Sequence, residues 1–277
     1  EHLSSLQVNY IHSNSRGDNR DPSHSVTHHW HVDIPTACRQ LLEVSKDSAP
    51  SSLLEKFKAA NAAASVVIQE HLEASGEFTE SFVAKEVGSL CPAGYNLFIG
   101  NSMPVRDMDL VTAACSADAI QVNRGVSGID GNIATAAGII WASGKPCLAV
   151  IGDTTALHDI NSLAILQRID MPLVLVIINN HGGGIFSFLP IAQCEDVLET
   201  FFINRHELNF QYFSAGFGLP YYCATQKEEF RTYLQNALAS GRPAVIEAII
   251  EREVNVKEHR ILWQKMEEQI NRILSGN

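Results

Sequence analysis

The chain has 277 residues, of which 45% are hydrophobic and 18% charged, enough apolar material for one large domain or one domain plus part of another. Its 20 basic and 31 acidic residues give a net charge of −11, which argues against nucleic acid or an anionic membrane as a partner. The longest apolar stretches are strand-sized, so we expect no membrane span. The first residue is Glu1, and we expect the chain to be an excised part of something longer.

The first 45 residues have the pattern of the end of an α/β domain. Val8–His12 is typical of a short strand, Val26–Ile34 alternates like a second strand, and Pro35–Val44 has helical spacing. Two strands and a helix are too little to bury a core, so we expect them to be the tail of a central α/β domain. The polar connector Lys46–Ser52 is the best candidate boundary. The predicted divisions are this tail at 1–45, a connector and linking helix at 46–75, and a main α/β domain at 76–277.

Helices and strands alternate through the rest of the chain. Leu53–Ala74 is predicted as a long helix, and Thr79–Leu90 as a second helix in which Thr79 can act as the N-terminal cap. This alternation predicts an open, mostly parallel sheet with helices on both faces and a ligand site at the carboxyl ends of the strands. The predicted strands are Asn96–Ile99, Ala119–Val122, Cys147–Ile151, Leu173–Ile178, Tyr221–Ala224 and Ala244–Ile250.

Two of these strands end in residues that suit a metal ion. Cys147–Ile151 is followed by Asp153, and Leu173–Ile178 is followed by Asn180, about 27 residues after Asp153. The stretch between them, Ala156–Arg168, has the apolar spacing of a helix, which makes the unit strand, helix, strand. Both strand ends then lie at one edge of the sheet. A carboxylate and an amide oxygen at one point are ligands suited to Mg²⁺ that also takes oxygens from a phosphorylated ligand.

Three further loops at strand ends carry residues suited to such a ligand. Asn101–Arg106 joins small polar residues to a proline suited to the first helical turn, where free N–H groups form a phosphate site. The loop 123–131 has three glycines that allow close approach of a ligand and leave Ile129 as a lone large apolar side chain. The turn 181–186 leads into apolar residues that can wall a pocket.

The amino-acid sequences of these loops resemble those of a known enzyme family. The Gly-Asp and Asn-Asn pair at this spacing is similar to the diphosphate-binding domain of thiamine diphosphate enzymes. Gly-Asn-Ser-Met-Pro-Val-Arg at 100–106, Asn-Arg-Gly-Val-Ser-Gly-Ile-Asp-Gly at 123–131 and Asn-Asn-His-Gly-Gly-Gly-Ile-Phe-Ser at 179–187 closely resemble the MenD family of SEPHCHC synthases. The resemblance is most specific from about Asn96 to Pro190 and implies that 76–277 is a diphosphate-binding domain.

The resemblance also implies a cofactor and its ligands. Asp153, Asn180 and the carbonyl of Gly182 would bind Mg²⁺, with Mn²⁺ as an alternative. Ile129 would prop thiamine diphosphate in its bent form. The other residues implied to contact this cofactor are Asn101, Ser102, Ser127, Gly128, Thr154, Thr155 and Ile185.

The family reaction joins two anionic substrates in menaquinone and phylloquinone biosynthesis. 2-Oxoglutarate is decarboxylated on the cofactor, and the product adds to isochorismate. Arg106 and Arg124 are implied to bind substrate carboxylates, because a planar guanidinium suits them. The residues implied to line the substrate pocket are Ile185, Phe186 and Leu189.

The resemblance sets expectations for partners and location. Family members are homodimers or homotetramers, and a pyrimidine-binding domain, normally from a second subunit, supplies an essential glutamate. No part of this chain resembles that domain, so we predict that the 277 residues alone bind the cofactor weakly and do not turn over. The sequence Met-Pro-Val-Arg-Asp-Met is most similar to that of the cyanobacterial and plant branch of the family. In plants the activity lies in a multifunctional polypeptide of the plastid stroma; otherwise a cytoplasmic location is implied.

Other interpretations of the same residues stay open. Asp153 can cap a helix and Asn180 can serve a turn, while Arg106 and Arg124 can be solvated surface charges and Ile129 ordinary core. The chain can also be another thiamine diphosphate enzyme, of the acetolactate synthase or 2-oxoacid decarboxylase type. A third alternative is a non-catalytic fragment that keeps the fold.

Overall fold

The computed structural model of the protein describes residues 5–6, 8–18, 20–21, 23–45, 51–169 and 171–275. The chain forms two compact units, Glu1–Phe57 and Lys58–Asn277. Most of the predicted connector, residues 46–50, lies outside the described residues. The division into a domain tail, a connector and a main domain therefore stays a prediction.

The first unit contains a parallel pair of strands followed by a helix. Strand β1 (Ile11–Ser13) pairs with β2 (His28–Trp30), and helix α1 spans Ile34–Val44. Both strands are shorter than the predicted Val8–His12 and Val26–Ile34, and β1 is shifted toward the C-terminus. The reason is that each of the two strands pairs only with the other in this sheet, so regular structure is limited to their common register.

The second unit is built on a parallel sheet, which confirms the predicted fold class. In the part of the chain that the structure describes, six strands follow the order β4-β3-β5-β6-β8-β7, and every neighbouring pair is parallel. The central strands β5 and β6 are apolar and almost completely buried, as expected for a sheet covered on both faces. These strands are β3 (Asn96–Ile99), β4 (Ala119–Val122), β5 (Cys147–Gly152), β6 (Leu173–Asn179), β7 (Tyr221–Ala224) and β8 (Ala244–Ile249).

Helices pack against both faces because successive strand side chains point to opposite sides. Val174 and Val176 belong to a core shared with helices α3, α4 and α9, whereas Leu175 and Ile177 belong to a second core shared with α5 and α8. None of the described helices is long and apolar enough to cross a membrane. The helices after α1 are α2 (Ser52–Ala74), α3 (Glu80–Leu90), α4 (Met103–Val111), α5 (Asn132–Ser143), α6 (Asp153–His158), α7 (Glu195–Phe201), α8 (Phe210–Gly216), α9 (Lys227–Ser240) and α10 (Arg252–Ser275).

The predicted helix Ala156–Arg168 is wrong as a single α-helix. The segment divides at Asp159 into the end of α6 and a 3₁₀ helix, Ile160–Arg168. Asp159 has φ −137°, and its carboxylate accepts hydrogen bonds from the Ala134 N–H at 2.9 Å and the Ser162 hydroxyl at 2.5 Å. These side-chain bonds to its neighbours compete with a continuous helical ladder.

Candidate functional site

A cavity of about 210 Å³ lies at the carboxyl ends of β5 and β6. This edge of an open α/β sheet is where ligands bind in such folds. The cavity is smaller than the roughly 300–1,000 Å³ of sites that enclose a drug-sized ligand, so it suits one end of a larger molecule. Its lining includes Glu80, Ser102, Ile129, Asp153, Thr154, Thr155, Asn180, Gly182, Ile185, Phe186 and Phe202.

Asp153 ties the ends of the two central strands together. It is only 2% exposed, and its Oδ1 accepts hydrogen bonds from the Thr154 N–H at 2.5 Å and the Thr154 hydroxyl at 3.1 Å. Its Oδ2 accepts from the Gly182 N–H at 3.0 Å. His206 Nε2 lies 3.4 Å from the same oxygen, and the proximity of the Asp153 carboxylate raises the pKa of His206 although burial opposes it. The β5 and β6 ends therefore share one negative charge inside the cavity wall.

The side-chain oxygen of Asn180 is a buried acceptor without a partner. Asn180 Nδ2 donates to Glu80 Oε1 at 2.8 Å, whereas Oδ1 is shielded from solvent and accepts no hydrogen bond from any of the described residues. An orphaned buried oxygen requires a physical explanation, because such groups are almost always paired. A cation bound beside Asp153 would satisfy this oxygen.

Glycines make room for the turn after Asn180. Gly182 has φ +140°, a conformation that side-chain-bearing residues rarely adopt, and a Cβ there would overlap the carbonyl of Ile203. A Cβ on Gly184 would overlap the Asn180 side-chain nitrogen and come within 3.0 Å of its Cγ. The glycines thus place the backbone at the cavity and leave space for the Asn180 amide.

Asn101 organises the glycine-rich loop instead of lining the cavity. Its Nδ2 donates to the carbonyls of Asn123 at 3.0 Å and Gly128 at 2.9 Å, and its Oδ1 accepts from Arg124 Nη1 at 3.0 Å. These bonds hold the loop so that Ile129 reaches the cavity wall. A role of Asn101 and Arg124 in direct ligand contact stays a prediction.

Ser102 places the start of α4 at the cavity. It precedes the first helical residue with φ 71°, and its side chain makes no capping hydrogen bond. Pro104 lies in the first turn, as the sequence predicted. The N–H groups of this turn have no intrahelical partners, which suits them to a phosphate oxygen.

A second, larger cavity adjoins the first. It has a volume of about 620 Å³ and shares Met103 and Ile185 with the smaller cavity. Arg106 and Leu189 line it, and Arg106 Nη1 donates to the carbonyl of Ser102 at 2.6 Å. Of the predicted substrate residues, Phe186 lines the smaller cavity, Arg106 and Leu189 line the larger one and Ile185 lines both, whereas Arg124 lines neither.

The structure brings most of the predicted residues to one place, but not all. Nine of them line the smaller cavity, and Arg106 and Leu189 line the larger one together with Ile185. Ser127 is exposed, and its hydroxyl lies 3.5 Å from the carbonyl of Arg124. The described residues contain no group of three or more His, Cys, Asp or Glu side chains that could hold a metal. The metal-binding set predicted from the sequence, with one carboxylate, one amide and one backbone carbonyl, is not a group of this kind.

Sequence reasoning missed the residues behind the site. Glu80, the first residue of α3, lines the cavity and contacts both Asn180 and Asn255. Burial, followed by the charge of Asp107, raises the pKa of Glu80 to about 7. The predicted cap at Thr79 indicated a helix start at Glu80, but no sequence pattern indicated that this helix start contacts residue 180. The position of His206 beside Asp153 was also not predictable, because His206 lies in an irregular loop without a periodic sequence pattern.

Comparison with known proteins shows which sequences this chain resembles. Residues 113–248 match the family described as thiamine pyrophosphate enzyme, C-terminal TPP-binding domain. Three relatives are each a 2-succinyl-5-enolpyruvyl-6-hydroxy-3-cyclohexene-1-carboxylate synthase. The chain is similar in sequence to these SEPHCHC synthases. The synthase of Pelodictyon phaeoclathratiforme is 42% identical over 201 residues, or 72% of this chain and 34% of the relative.

Two other SEPHCHC synthases align over more of the chain. That of Chlorobaculum tepidum is 36% identical over 249 residues, covering 89% of this chain and 42% of its own length. That of Geobacillus thermodenitrificans is 36% identical over 257 residues, covering 92% of this chain and 44% of its own length. The chain therefore spans less than half the length of these relatives.

Proposed function

We propose that the chain binds the diphosphate of thiamine diphosphate through Mg²⁺ or Mn²⁺ held by Asp153, Asn180 and the carbonyl of Gly182. The observation that carries this proposal is the buried, unpartnered Asn180 oxygen in the same cavity as the Asp153 carboxylate. Both are hard oxygen ligands, and Mg²⁺ characteristically combines one or two carboxylates with phosphate oxygens. The matching family supports the same cofactor.

Other residues of the cavity have roles that follow from their chemistry. The free N–H groups at the start of α4 and the hydroxyls of Ser102, Thr154 and Thr155 would donate to phosphate oxygens. Ile129 presents an apolar side chain to the same space and would support the cofactor's organic part. When bound, thiamine diphosphate supplies the electron sink for decarboxylation of a 2-oxo acid.

We further propose that the reaction is that of the SEPHCHC synthases, with 2-oxoglutarate and isochorismate as substrates. Both are anionic, whereas the chain has a net charge of −11, so local cations must hold them. Arg106 lies in the larger cavity beside Ile185 and Leu189, and its bond to Ser102 uses one guanidinium nitrogen. The guanidinium is thereby held next to the smaller cavity, where it would orient a carboxylate toward the cofactor.

Turnover would also require parts of the relatives that this chain does not cover. The smaller cavity, about 210 Å³, is below the roughly 300–1,000 Å³ of sites that enclose a whole ligand, so it would hold only the metal and diphosphate end. We propose that a pyrimidine-binding domain, from a second subunit of a homodimer or homotetramer, completes the enclosure and supplies the glutamate. The plant branch, the multifunctional polypeptide and the plastid location stay predictions.

The cofactor proposal is tested by thermal unfolding of the 277-residue chain. We expect thiamine diphosphate and Mg²⁺ together to raise the melting temperature and either one alone to have little effect. A ligand at one hundred times its Kd adds about 2.7 kcal/mol to the unfolding free energy. Asp153→Ala should abolish the increase, whereas Asp196→Ala, an exposed carboxylate on α7, should keep it. An equal response of both variants would contradict the metal assignment.

The reaction proposal is tested by comparing donors. The chain, combined with the portion that its relatives have in addition, should consume 2-oxoglutarate only when isochorismate is present. Preference for pyruvate would favour an acetolactate synthase or decarboxylase type instead. Cofactor binding without consumption of either donor would favour a non-catalytic role, and turnover by the chain alone would contradict the need for a further domain.

A further inference from the structure

A buried polar network lies behind the candidate metal site. Glu80 is 1% exposed, and its Oε1 accepts hydrogen bonds from Asn180 Nδ2 at 2.8 Å and from Asn255 Nδ2 at 2.9 Å. The Glu80 backbone N–H donates to Asn255 Oδ1 at 3.0 Å. Three elements, the end of β6, the start of α3 and the start of α10, are thus joined through one carboxylate oxygen.

These bonds determine which end of the Asn180 amide is left without a partner among the described residues. A primary amide has a donor end and an acceptor end of almost the same shape, so only its hydrogen bonds distinguish the two orientations. The donor end of Asn180 is directed at Glu80, which leaves Oδ1 as the unpartnered end. Rotation of the amide by half a turn would present NH₂ to a cation and would place two oxygens, Oδ1 and Glu80 Oε1, against each other.

Asn255 in turn holds Glu80. It is 1% exposed, lies 175 positions after Glu80 and makes two hydrogen bonds to it, one to the side chain and one to the backbone. Asn255 does not line the cavity, whereas Glu80 and Asn180 do. The side chain of Asn255 is therefore connected to the cavity through its hydrogen bonds to Glu80.

We propose that Glu80 and Asn255 are positioning residues that direct the Asn180 oxygen toward the divalent cation. This inference rests on the proposed metal site. Groups that orient a metal ligand through its second hydrogen-bonding atom typically change metal affinity by 10–100-fold when they are removed. The structure assigns this role to a helix-start carboxylate and to an amide from the C-terminal helix.

The role differs from direct coordination by Glu80, and two substitutions separate them. Glu80→Gln keeps an acceptor oxygen for Asn180 and Asn255 but removes the negative charge. Glu80→Leu has a similar size but no acceptor. A positioning role predicts that Glu80→Gln retains most of the metal affinity, whereas Glu80→Leu loses it.

The experiment is a titration of the 277-residue chain with Mn²⁺ in the presence of thiamine diphosphate, followed by the loss of the free Mn²⁺ electron paramagnetic resonance signal. We expect Glu80→Leu to weaken Mn²⁺ binding by about 10–100-fold and Asn255→Leu to weaken it in the same direction. Asn271→Leu is the matched control, because it makes the same chemical change at an exposed position of α10. Melting temperatures of the metal-free variants show that each one is folded.

The outcomes distinguish this inference from the proposed function. Unchanged Mn²⁺ affinity of a folded Glu80→Leu variant would overturn the positioning role while leaving the metal site intact. An equal loss in Glu80→Gln and Glu80→Leu would overturn it in favour of a requirement for the charge. Absence of Mn²⁺ binding by the unsubstituted chain would overturn both proposals. If Glu80→Leu is unfolded, the Mn²⁺ affinities of the other two variants test the positioning role: it predicts weaker binding by Asn255→Leu and nearly unchanged binding by Glu80→Gln, and the opposite result would overturn it.

Discussion

The buried pair of Asp107 and His259 provides the sharpest test of what holds α10 to the rest of the second unit. Both side chains are 1% exposed, and His259 Nε2 lies 2.6 Å from Asp107 Oδ1. His259 Nδ1 lies 2.8 Å from the Asn255 carbonyl, which can only accept a hydrogen bond. Both ring nitrogens therefore face acceptors, and only the doubly protonated imidazolium donates to both.

Asp107→Asn removes the negative charge and keeps the shape. Breaking a buried ion pair by removing one partner costs about 3–5 kcal/mol, because the other charge is left uncompensated. That is a large fraction of the roughly 5–15 kcal/mol by which domains are stable. Asp118→Asn is the matched control, because Asp118 pairs with Lys145 on the surface, where ion pairs contribute little.

The effect should depend on pH in a defined direction. Burial lowers the pKa of His259, but the hydrogen bond and charge of Asp107, with a further contribution from Glu80, raise it above its ordinary value. A pKa raised by folding stabilises the protein fully below the unfolded value of about 6.5, and this contribution is lost as the pH rises through the folded value. The difference between the original chain and Asp107→Asn should therefore shrink toward high pH.

Urea unfolding at about pH 6 and about pH 9 measures these free energies. A loss in Asp107→Asn no larger than that in Asp118→Asn, or a loss that does not change with pH, would refute the imidazolium assignment. Nitrogen chemical shifts of the His259 ring provide a direct check. A neutral ring at about pH 6 would contradict the reasoning even if the variant is unstable.

Three further predictions follow from particular contacts. Gly184→Ala should displace the Asn180 amide and reduce the increase in melting temperature caused by thiamine diphosphate and Mg²⁺. Gly138→Ala is the control, because a Cβ there meets nothing within 4 Å, and it should leave this increase unchanged. Equal increases in the two variants would argue against the clash. Thr79→Ala should lower the unfolding free energy by about 1 kcal/mol in urea titrations, because the hydroxyl caps α3, and Thr79→Ser should restore it. Lys227→Met should lower the melting temperature, because its ammonium donates to two backbone carbonyls at and just after the end of α2, and an unchanged value would show that these bonds contribute nothing.

The strands of the six-stranded sheet were predictable because their signal is local. Asn96–Ile99, Ala119–Val122 and Tyr221–Ala224 have the predicted bounds, and the two central strands differ by one residue at one end. Short runs rich in β-branched and other apolar residues, bounded by turn residues, carry this information within a few positions. The prediction of a single helix over Ala156–Arg168 was wrong, because apolar spacing contains no information on the hydrogen bonds that the Asp159 side chain makes.

The parallel topology also made part of the site predictable. Once β5 and β6 were expected to be parallel neighbours, Asp153, Asn180 and Gly182 had to meet at one edge of the sheet, and they do line one cavity. Asn101 was expected to contact the same ligand, but its side-chain amide donates hydrogen bonds to two carbonyls of the glycine-rich loop. Strand order determines where a residue lies, not which group its side chain contacts.

The sequence by itself determined the fold class, the strands of the six-stranded sheet and the edge at which the candidate site forms. Only the tertiary structure decided how the site residues are oriented. Glu80 lies 100 positions from Asn180 and 175 from Asn255, yet one of its oxygens accepts hydrogen bonds from both amides. Secondary structure depends on neighbours a few residues apart, whereas the direction of a buried side chain depends on whichever distant groups satisfy its hydrogen bonds. Those partners exist only after the helices have packed.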